Sequence, residues 1–159
     1  MEIKGFEAHD HSRCIHSGLD AAETICADKK VQLTPVRRRV LEILLEGHRA
    51  MGAYEVLDHL RTEGLGSQPP VAYRALDFLT THGLVHRIER LNAFVACSTP
   101  HQDHAPTFLI CKSCSSIAEI PTPRAGRVVR NAANELGFEV DRMVVEAEGT
   151  CPSCQENAA

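Results

Sequence analysis

The sequence predicts an α+β fold in which a helical N-terminal part precedes a small C-terminal domain of strands and one helix. From Leu19 to His82 the apolar residues recur at intervals of three and four, which is the spacing of amphipathic helices. After Leu84 the pattern changes to short apolar runs bounded by turn residues, which is typical of strands. Two Cys-x-x-Cys pairs near the end, at 111–114 and 151–154, indicate a metal site in the C-terminal domain.

Composition bounds the possible functions. A chain of 159 residues suits one domain or two small ones, and with 4% aromatics and no Trp the core must come from aliphatic side chains. The net charge of -4 and the pI of about 6.1 mean that any contact with nucleic acid needs a local surface. We find no pattern typical of a signal peptide or a transmembrane segment, so we expect a cytoplasmic protein without a membrane partner. Seven cysteines in a reducing compartment favour metal ligation over disulfides.

The N-terminal segment, residues 1–18, shows no helical periodicity and is predicted to be a flexible tail. The potential metal ligands of this tail are His9, His11, Cys14 and His16. The first helix is predicted from Leu19 to about Lys30, with Cys26 as a small buried hydrophobic residue.

Three further helices and a hairpin complete the N-terminal domain, which we place at residues 19–97. The helices are predicted from Thr34-Pro35 to Gly47, from Ala53 to Glu63, and from the prolines at 69–70 to His82. Two strands, 84–89 and 93–97, follow with a short turn between them. This order is that of a winged helix-turn-helix, whose third helix enters the major groove of DNA.

The outer face of the helix predicted at 69–82, the third of the helix-turn-helix, carries the side chains suited to contact DNA. Tyr73 and Arg74 lie outside the apolar stripe, and arginine can bind guanine through two hydrogen bonds. Arg37, Arg38 and Arg39 flank the stripe of an earlier helix, where they belong either to a solvated face or to a phosphate-binding surface. The order of elements, more than the charge, supports DNA binding.

A polar segment, residues 98–107, is predicted to be a hinge, and residues 108–159 a β-β-α-β dimerisation domain. We expect strands at 108–111, 117–120 and 138–148. The helix at 123–136 is expected to bury Val129, Ala132, Ala133 and Leu136. So small a sheet leaves an edge strand and a helix face uncovered, which a second copy of the chain would cover.

The four cysteines of the two pairs, Cys111, Cys114, Cys151 and Cys154, are predicted to hold one tetrahedral zinc ion. Two separate redox pairs, or disulfides, are the alternatives. A site of four thiolates leaves no position for water, and the sequence contains no His-Glu-x-x-His or His-x-Glu motif of zinc enzymes. We therefore expect no enzymatic activity and no small organic substrate.

A second group of possible ligands lies around the hinge: His86, Cys97, His101, His104 and Glu119. Taken singly, each has an ordinary explanation as a strand residue, a core thiol or a surface charge. Two histidines, one cysteine and one carboxylate would together suit tetrahedral zinc, and the thiolate disfavours iron and manganese.

The chain resembles the ferric uptake regulator (Fur) family and, within it, the zinc uptake regulators. The resemblance covers roughly residues 20–154 and rests on five motifs. They are the runs at 33–37 (LTPVR), 53–57 (AYEVL), 71–79 (VAYRALDFL), 108–114 (FLICKSC) and 149–154 (GTCPSC).

The resemblance implies a homodimer with two zinc ions per chain, a structural ion at the four cysteines and a regulatory ion at the hinge. The residues matching the regulatory set are His86, Cys97, His104 and Glu119, with His101 and Asp103 as a possible accessory site. Predicted DNA contacts come from Tyr54, Tyr73, Arg74 and Arg37. The function so implied is a zinc-responsive repressor that binds a palindromic operator in double-stranded DNA and controls zinc uptake genes. An iron, manganese or peroxide sensor of the same family is one alternative, and a zinc-ribbon adaptor that binds protein is another.

Overall fold

The computed structural model describes Phe6, residues 10–101 and residues 104–158. These residues separate into two compact units, one formed by residues 10–101 and the other by residues 104–158 with Phe6. The α+β class predicted from the sequence is confirmed. No helix among the described residues is long and apolar enough to cross a membrane.

The first unit contains four helices and a two-stranded sheet. Its elements are α1 (His11–Asp28), α2 (Pro35–Leu45), α3 (Ala53–Thr62), α4 (Pro69–Thr81), β1 (Val85–Ile88) and β2 (Ala93–Ala96).

Helix α1 begins at His11, so the prediction of a flexible tail through residue 18 is wrong for residues 11–18. Asp10 caps the helix, because its Oδ1 accepts a hydrogen bond of 2.9 Å from the backbone N–H of Ser12. Ser12 Oγ also donates to the Asp10 carboxylate at 2.7 Å. The apolar periodicity used to predict helices does not extend to this first turn, because its less exposed positions hold His11 and Cys14 rather than apolar side chains. The prediction that Cys26 is buried is confirmed.

Helices α2, α3 and α4 pack through the apolar stripes that the sequence predicted. Thr34 caps α2 by accepting a hydrogen bond from the Arg37 N–H, and Pro35 occupies the first turn. In α4 the buried residues are Ala72, Ala75, Leu76 and Leu79, which leaves Tyr73 and Arg74 exposed. The packing of the three helices therefore fixes which side of α4 faces outward.

Strands β1 and β2 form the predicted antiparallel hairpin, in which Val85 pairs with Ala96 and Ile88 with Ala93. Asn92 in the turn has a φ of 45°, a left-handed conformation that asparagine tolerates better than most residues. Met51 extends the sheet by exchanging two backbone hydrogen bonds of 2.8 and 2.9 Å with Phe94.

The second unit has the predicted β-β-α-β order and ends in a short helix. Its elements are β3 (Pro106–Cys111), β4 (Ile117–Pro121), α5 (Pro123–Glu135), β5 (Val145–Gly149) and α6 (Pro152–Asn157). The strand order is β4-β3-β5, with β4 antiparallel and β5 parallel to the central β3.

Two strand boundaries in the second unit differ from the prediction. Strand β3 begins at Pro106, inside the segment predicted as hinge. Strand β5 begins at Val145, although a strand was predicted from Phe138. The apolar residues at 138–145 suggested a continuous strand, but β5 extends only along its pairing with β3, from Val145 to Gly149.

The predicted burial of the α5 face is wrong for the single chain. Gly126 is the only buried residue of α5, while Val129 is 45% exposed and Leu136, which follows the helix, is 84% exposed. Val128 and Phe138 are also exposed. Periodicity identifies a face that is suited to burial, but it does not show whether the covering surface belongs to the same chain.

Candidate metal sites and nucleic-acid interface

The four paired cysteines meet at one end of the second unit. Cys111 ends β3 and Cys114 lies in the following turn, while Cys151 caps α6 and Cys154 lies within it. All four Sγ atoms lie within 4.8 Å of one another, and the Sγ atoms of Cys114 and Cys151 are 3.7 Å apart. The two pairs therefore form one cluster rather than two separate sites.

Backbone hydrogen bonds hold the cluster together. The turn after β3 closes through bonds of 2.9 Å from Cys111 N to Ser116 O and from Ser115 N to Cys111 O. A bond of 3.0 Å from Lys112 N to Gly149 O joins this turn to the end of β5. Because β3 and β5 are neighbours in the sheet, cysteines that are distant in sequence reach the same point.

The cluster fits a tetrahedral zinc ion. Four thiolates at about 2.3 Å from zinc would be separated from each other by about 3.8 Å, close to the distance between the Sγ atoms of Cys114 and Cys151. A disulfide needs about 2.05 Å, and none of the seven cysteines of the chain, all of them among the described residues, forms one. The geometry therefore favours metal ligation over the disulfide alternative.

The thiols of this cluster differ in how readily they ionise. Hydrogen bonds from the backbone N–H groups of Cys151 and Cys114 lower the pKa of Cys111 to about 6. Hydrogen bonding with Cys151 and Cys114 raises the pKa of Cys154 to about 12. The Cys111 thiolate therefore forms readily, whereas neighbouring cysteines oppose the ionisation of Cys154. A bound divalent cation would stabilise both thiolates.

The four residues predicted as the regulatory set form two pairs, one in each unit. In the first unit His86 lies on β1 and Cys97 directly follows β2, with a ring nitrogen of His86 within 4.8 Å of the Cys97 Sγ. The Cys97 N–H donates a 2.9 Å hydrogen bond to Leu84 O, which anchors the residue at the base of the hairpin.

In the second unit His104 and Glu119 lie together. His104 Nε2 is 2.7 Å from Glu119 Oε1, and Glu119 lies on β4 directly opposite Phe108 of β3. Both side chains are largely shielded from solvent. Of the possible accessory site, His101 is exposed and Asp103 lies outside the described residues.

The exposed face of the winged helix carries a pair of tyrosines. Tyr54 on α3 is 62% exposed and Tyr73 on α4 is 47% exposed, and their rings meet edge to face with centroids 6.4 Å apart. Arg74 is exposed beside them, and its Nε donates a 3.2 Å hydrogen bond to Pro70 O. Exposed aromatic and guanidinium groups of this kind, here on α3 and α4, are chemically suited to contact DNA.

Arg37 contacts its own domain. Its guanidinium carbon lies 3.7 Å from the centre of the Phe78 ring, and its Nη1 donates a 2.7 Å hydrogen bond to Gln32 O. It also lines an open groove between α2 and α4 together with Arg74. A contact of Arg37 with phosphate remains a prediction.

The two following arginines form ion pairs. Arg38 pairs with Glu23 and Glu42, and Arg39 contacts the carboxylates of Glu42, Glu46 and Glu63. The solvated-face interpretation therefore suits Arg38 and Arg39 better than phosphate binding does.

Known proteins resemble this chain along most of its length. The sequence profile of the ferric uptake regulator family matches residues 28–148. The zinc uptake regulation protein of Escherichia coli (strain K12) is 37% identical over 139 residues, which cover 87% of this chain and 81% of that protein.

Two solved structures support the same assignment. A zinc uptake regulator complexed with zinc and DNA superposes with a TM-score of 0.87 at 36% identity, covering 91% of this chain and 97% of that one. The crystal structure of holo XcZur gives a TM-score of 0.80 at 37% identity, covering 88% and 98%. With its winged helix, its cysteine cluster and these matches, the chain belongs to the ferric uptake regulator family.

Proposed function

We propose that this protein is a zinc-responsive transcriptional repressor that binds a palindromic operator as a homodimer and controls zinc uptake genes. The observation that carries the proposal is the chemistry of the two ligand pairs, His86 with Cys97 and His104 with Glu119. Relatives that are zinc uptake regulators, one of them solved with zinc and DNA, support it.

The ligand types favour zinc over iron or manganese. A set of two imidazoles, one thiolate and one carboxylate gives the mixed N, S and O ligation that is ordinary for tetrahedral zinc. Iron(II) and manganese(II) take harder ligand sets, in which a thiolate such as that of Cys97 is less favourable. An iron or manganese sensor is accordingly the weaker candidate.

Two zinc ions per chain would have separate roles. The four cysteines would hold one ion as part of the fold of the second unit. His86, Cys97, His104 and Glu119 would share the other, so that its loading fixes the winged helix at one angle to the dimerisation domain. If the arrangement that binds DNA also binds zinc more tightly, zinc shifts the population towards it and raises the affinity for DNA by some factor. By linkage, bound DNA must raise the affinity for zinc by the same factor.

The exposed apolar surface of the second unit supports a homodimer. Val128, Val129, Leu136 and Phe138 lie on or directly after α5 and are all exposed in the single chain. An apolar surface of this kind marks an interaction site, and a symmetric dimer would cover the same surface on both copies. Two winged helices related by a two-fold axis would match a palindrome whose half-sites lie about 34–36 Å apart.

The protein would act in the cytoplasm, where its DNA partner is found and thiols stay reduced. We assign it no catalytic role, because four cysteine ligands close the coordination sphere of zinc and leave no position for a reacting water.

Changing Arg74 to Ala tests DNA binding by the outer face of α4. We expect the affinity for operator DNA to fall by about 1–3 kcal/mol, since a guanidinium that binds a base edge is lost. The measurement is fluorescence anisotropy with a duplex selected from a random library by the zinc-loaded protein. Arg38→Ala is the matched control, because it removes the same charge from a residue paired with Glu23 and Glu42.

The control should bind the duplex as the unchanged protein does. Operator affinity unaltered in Arg74→Ala would count against this surface, and failure of the zinc-loaded protein to select any duplex would favour the adaptor that binds protein.

A further inference from the structure

A third cluster of metal ligands lies in the first unit, away from both sites already described. It consists of His11 and Cys14 on α1 and His48 after α2, with one ligand atom from each lying within 4.8 Å of the others. The rings of His11 and His48 have centroids 5.1 Å apart and are tilted by 55°. All three residues are half-buried.

The helix start at Asp10 places the first two ligands on one face. Because α1 begins at His11, Cys14 follows one turn later on the same side, and this side continues to Gly18. The neighbouring Ser12, Arg13, His16 and Ser17 are exposed. The inward face of the first turn thus presents an imidazole and a thiol in place of apolar side chains.

Gly18 of α1 packs against Leu45 at the end of α2. A Cβ at position 18 would lie 2.6 Å from Leu45 Cδ1, so a larger residue there would require the Leu45 side chain to move. His48 lies three residues beyond Leu45, where the chain leaves α2. Beside this contact, His48 lies close to His11 and Cys14.

The donor types and their spacing suit a borderline or soft metal ion. Two imidazoles and one thiolate are common zinc ligands, with Zn–N of about 2.0–2.1 Å and Zn–S of about 2.3 Å. Tetrahedral ligation would separate the ligand atoms by about 3.3–3.6 Å. The three ligand atoms already lie within 4.8 Å of one another, so small side-chain rotations would bring them to these distances. The fourth position would be filled by water or another ligand.

We propose that His11, Cys14 and His48 form a third metal site, of the zinc class, that fastens the first turn of α1 to the chain after α2. The site depends on neither the cysteine cluster nor the ligand pairs around the hinge. Its occupancy would hold the first turn of α1 against the chain after α2, to an extent that rises with the free metal concentration.

Zinc stoichiometry of the full-length protein tests this site. We compare Cys14→Ser and His48→Ala with His16→Ala, a matched control whose exposed imidazole pairs with Asp20 on the other side of α1. The comparison uses equilibrium dialysis at buffered free zinc followed by elemental analysis. All variants also carry Cys97→Ser, so the result does not depend on a regulatory site.

We expect one zinc ion fewer per chain in Cys14→Ser and in His48→Ala than in His16→Ala. Cobalt(II) substitution gives a second readout, since Cys14→Ser should lose one thiolate-to-cobalt charge-transfer contribution while His16→Ala keeps it. Equal metal content and equal cobalt spectra in all three variants would overturn the proposal. Circular dichroism checks folding, and if Cys14→Ser does not fold, the comparison of His48→Ala with His16→Ala decides.

Discussion

Replacing Cys151 by Ser is expected to remove one zinc ion per chain and to unfold the second unit, with loss of the dimer at any zinc concentration. Cys151 is buried, its Sγ lies 3.7 Å from that of Cys114, and its N–H donates to the Cys111 Sγ at 3.4 Å. A serine hydroxyl is a poor zinc ligand, and the three remaining cysteines would lack the cation that stabilises their thiolate forms.

The expected effect is large because structural zinc sites contribute about 10–16 kcal/mol of apparent binding free energy. That is as large as the total stability of a typical domain, about 5–15 kcal/mol. The second unit has a three-stranded sheet and two helices and leaves Val129 and Leu136 exposed, so it has little apolar burial to compensate.

Analytical ultracentrifugation and zinc analysis measure this effect. Cys26→Ala is the control, since this thiol is buried in the first unit and its loss should cost about 1 kcal/mol without changing zinc content or dimer formation. A Cys151→Ser protein that still dimerises with the same zinc content would show that the cysteine cluster does not hold the unit together.

Replacing Cys97 by Ser is expected to abolish the response of DNA binding to zinc while leaving the dimer intact. The thiolate is the strongest zinc ligand of the proposed regulatory set, and it lies at the base of the hairpin in the first unit rather than in the second unit. Typical couplings of about 1–3 kcal/mol correspond to a roughly 5- to 150-fold change in operator affinity between zinc-free and zinc-loaded protein.

The measurement is operator affinity at low and high free zinc, together with zinc content per chain. The Cys97→Ser protein should bind one ion fewer and show no zinc dependence, whereas Cys26→Ala should respond as the unchanged protein does. A zinc response of normal size in Cys97→Ser would remove this residue from the regulatory set.

Much of the fold was predictable because the winged helix buries its own apolar stripes. Tyr73 and Arg74 were predicted outside the apolar stripe of α4, and both are exposed, while Leu76 and Leu79 are buried on the other side. The cysteine cluster was predictable for a different reason: two tight pairs have few other uses in a chain kept reduced.

The predictions that failed share one physical cause. The local sequence shows that a helix face is suited to contact, but it does not show which other segment or chain will contact it. Leu136 belongs to an apolar face that the single chain does not cover. His11 and Cys14 lie on the less exposed face of α1 but are not apolar, so a search for apolar periodicity does not detect this turn of the helix. His48 has no spacing relation to either residue, and the three come together only in the folded chain.

We expect this protein to sense zinc in preference to iron or manganese. Its most direct test is operator binding titrated against buffered free Zn(II), Fe(II) and Mn(II) under anaerobic conditions, with the duplex and the protein held constant. Zn(II) should induce binding at the lowest free concentration of the three, because His86, Cys97, His104 and Glu119 provide a thiolate and two imidazoles. Binding induced by Fe(II) or Mn(II) at a lower free concentration than Zn(II) would contradict the account.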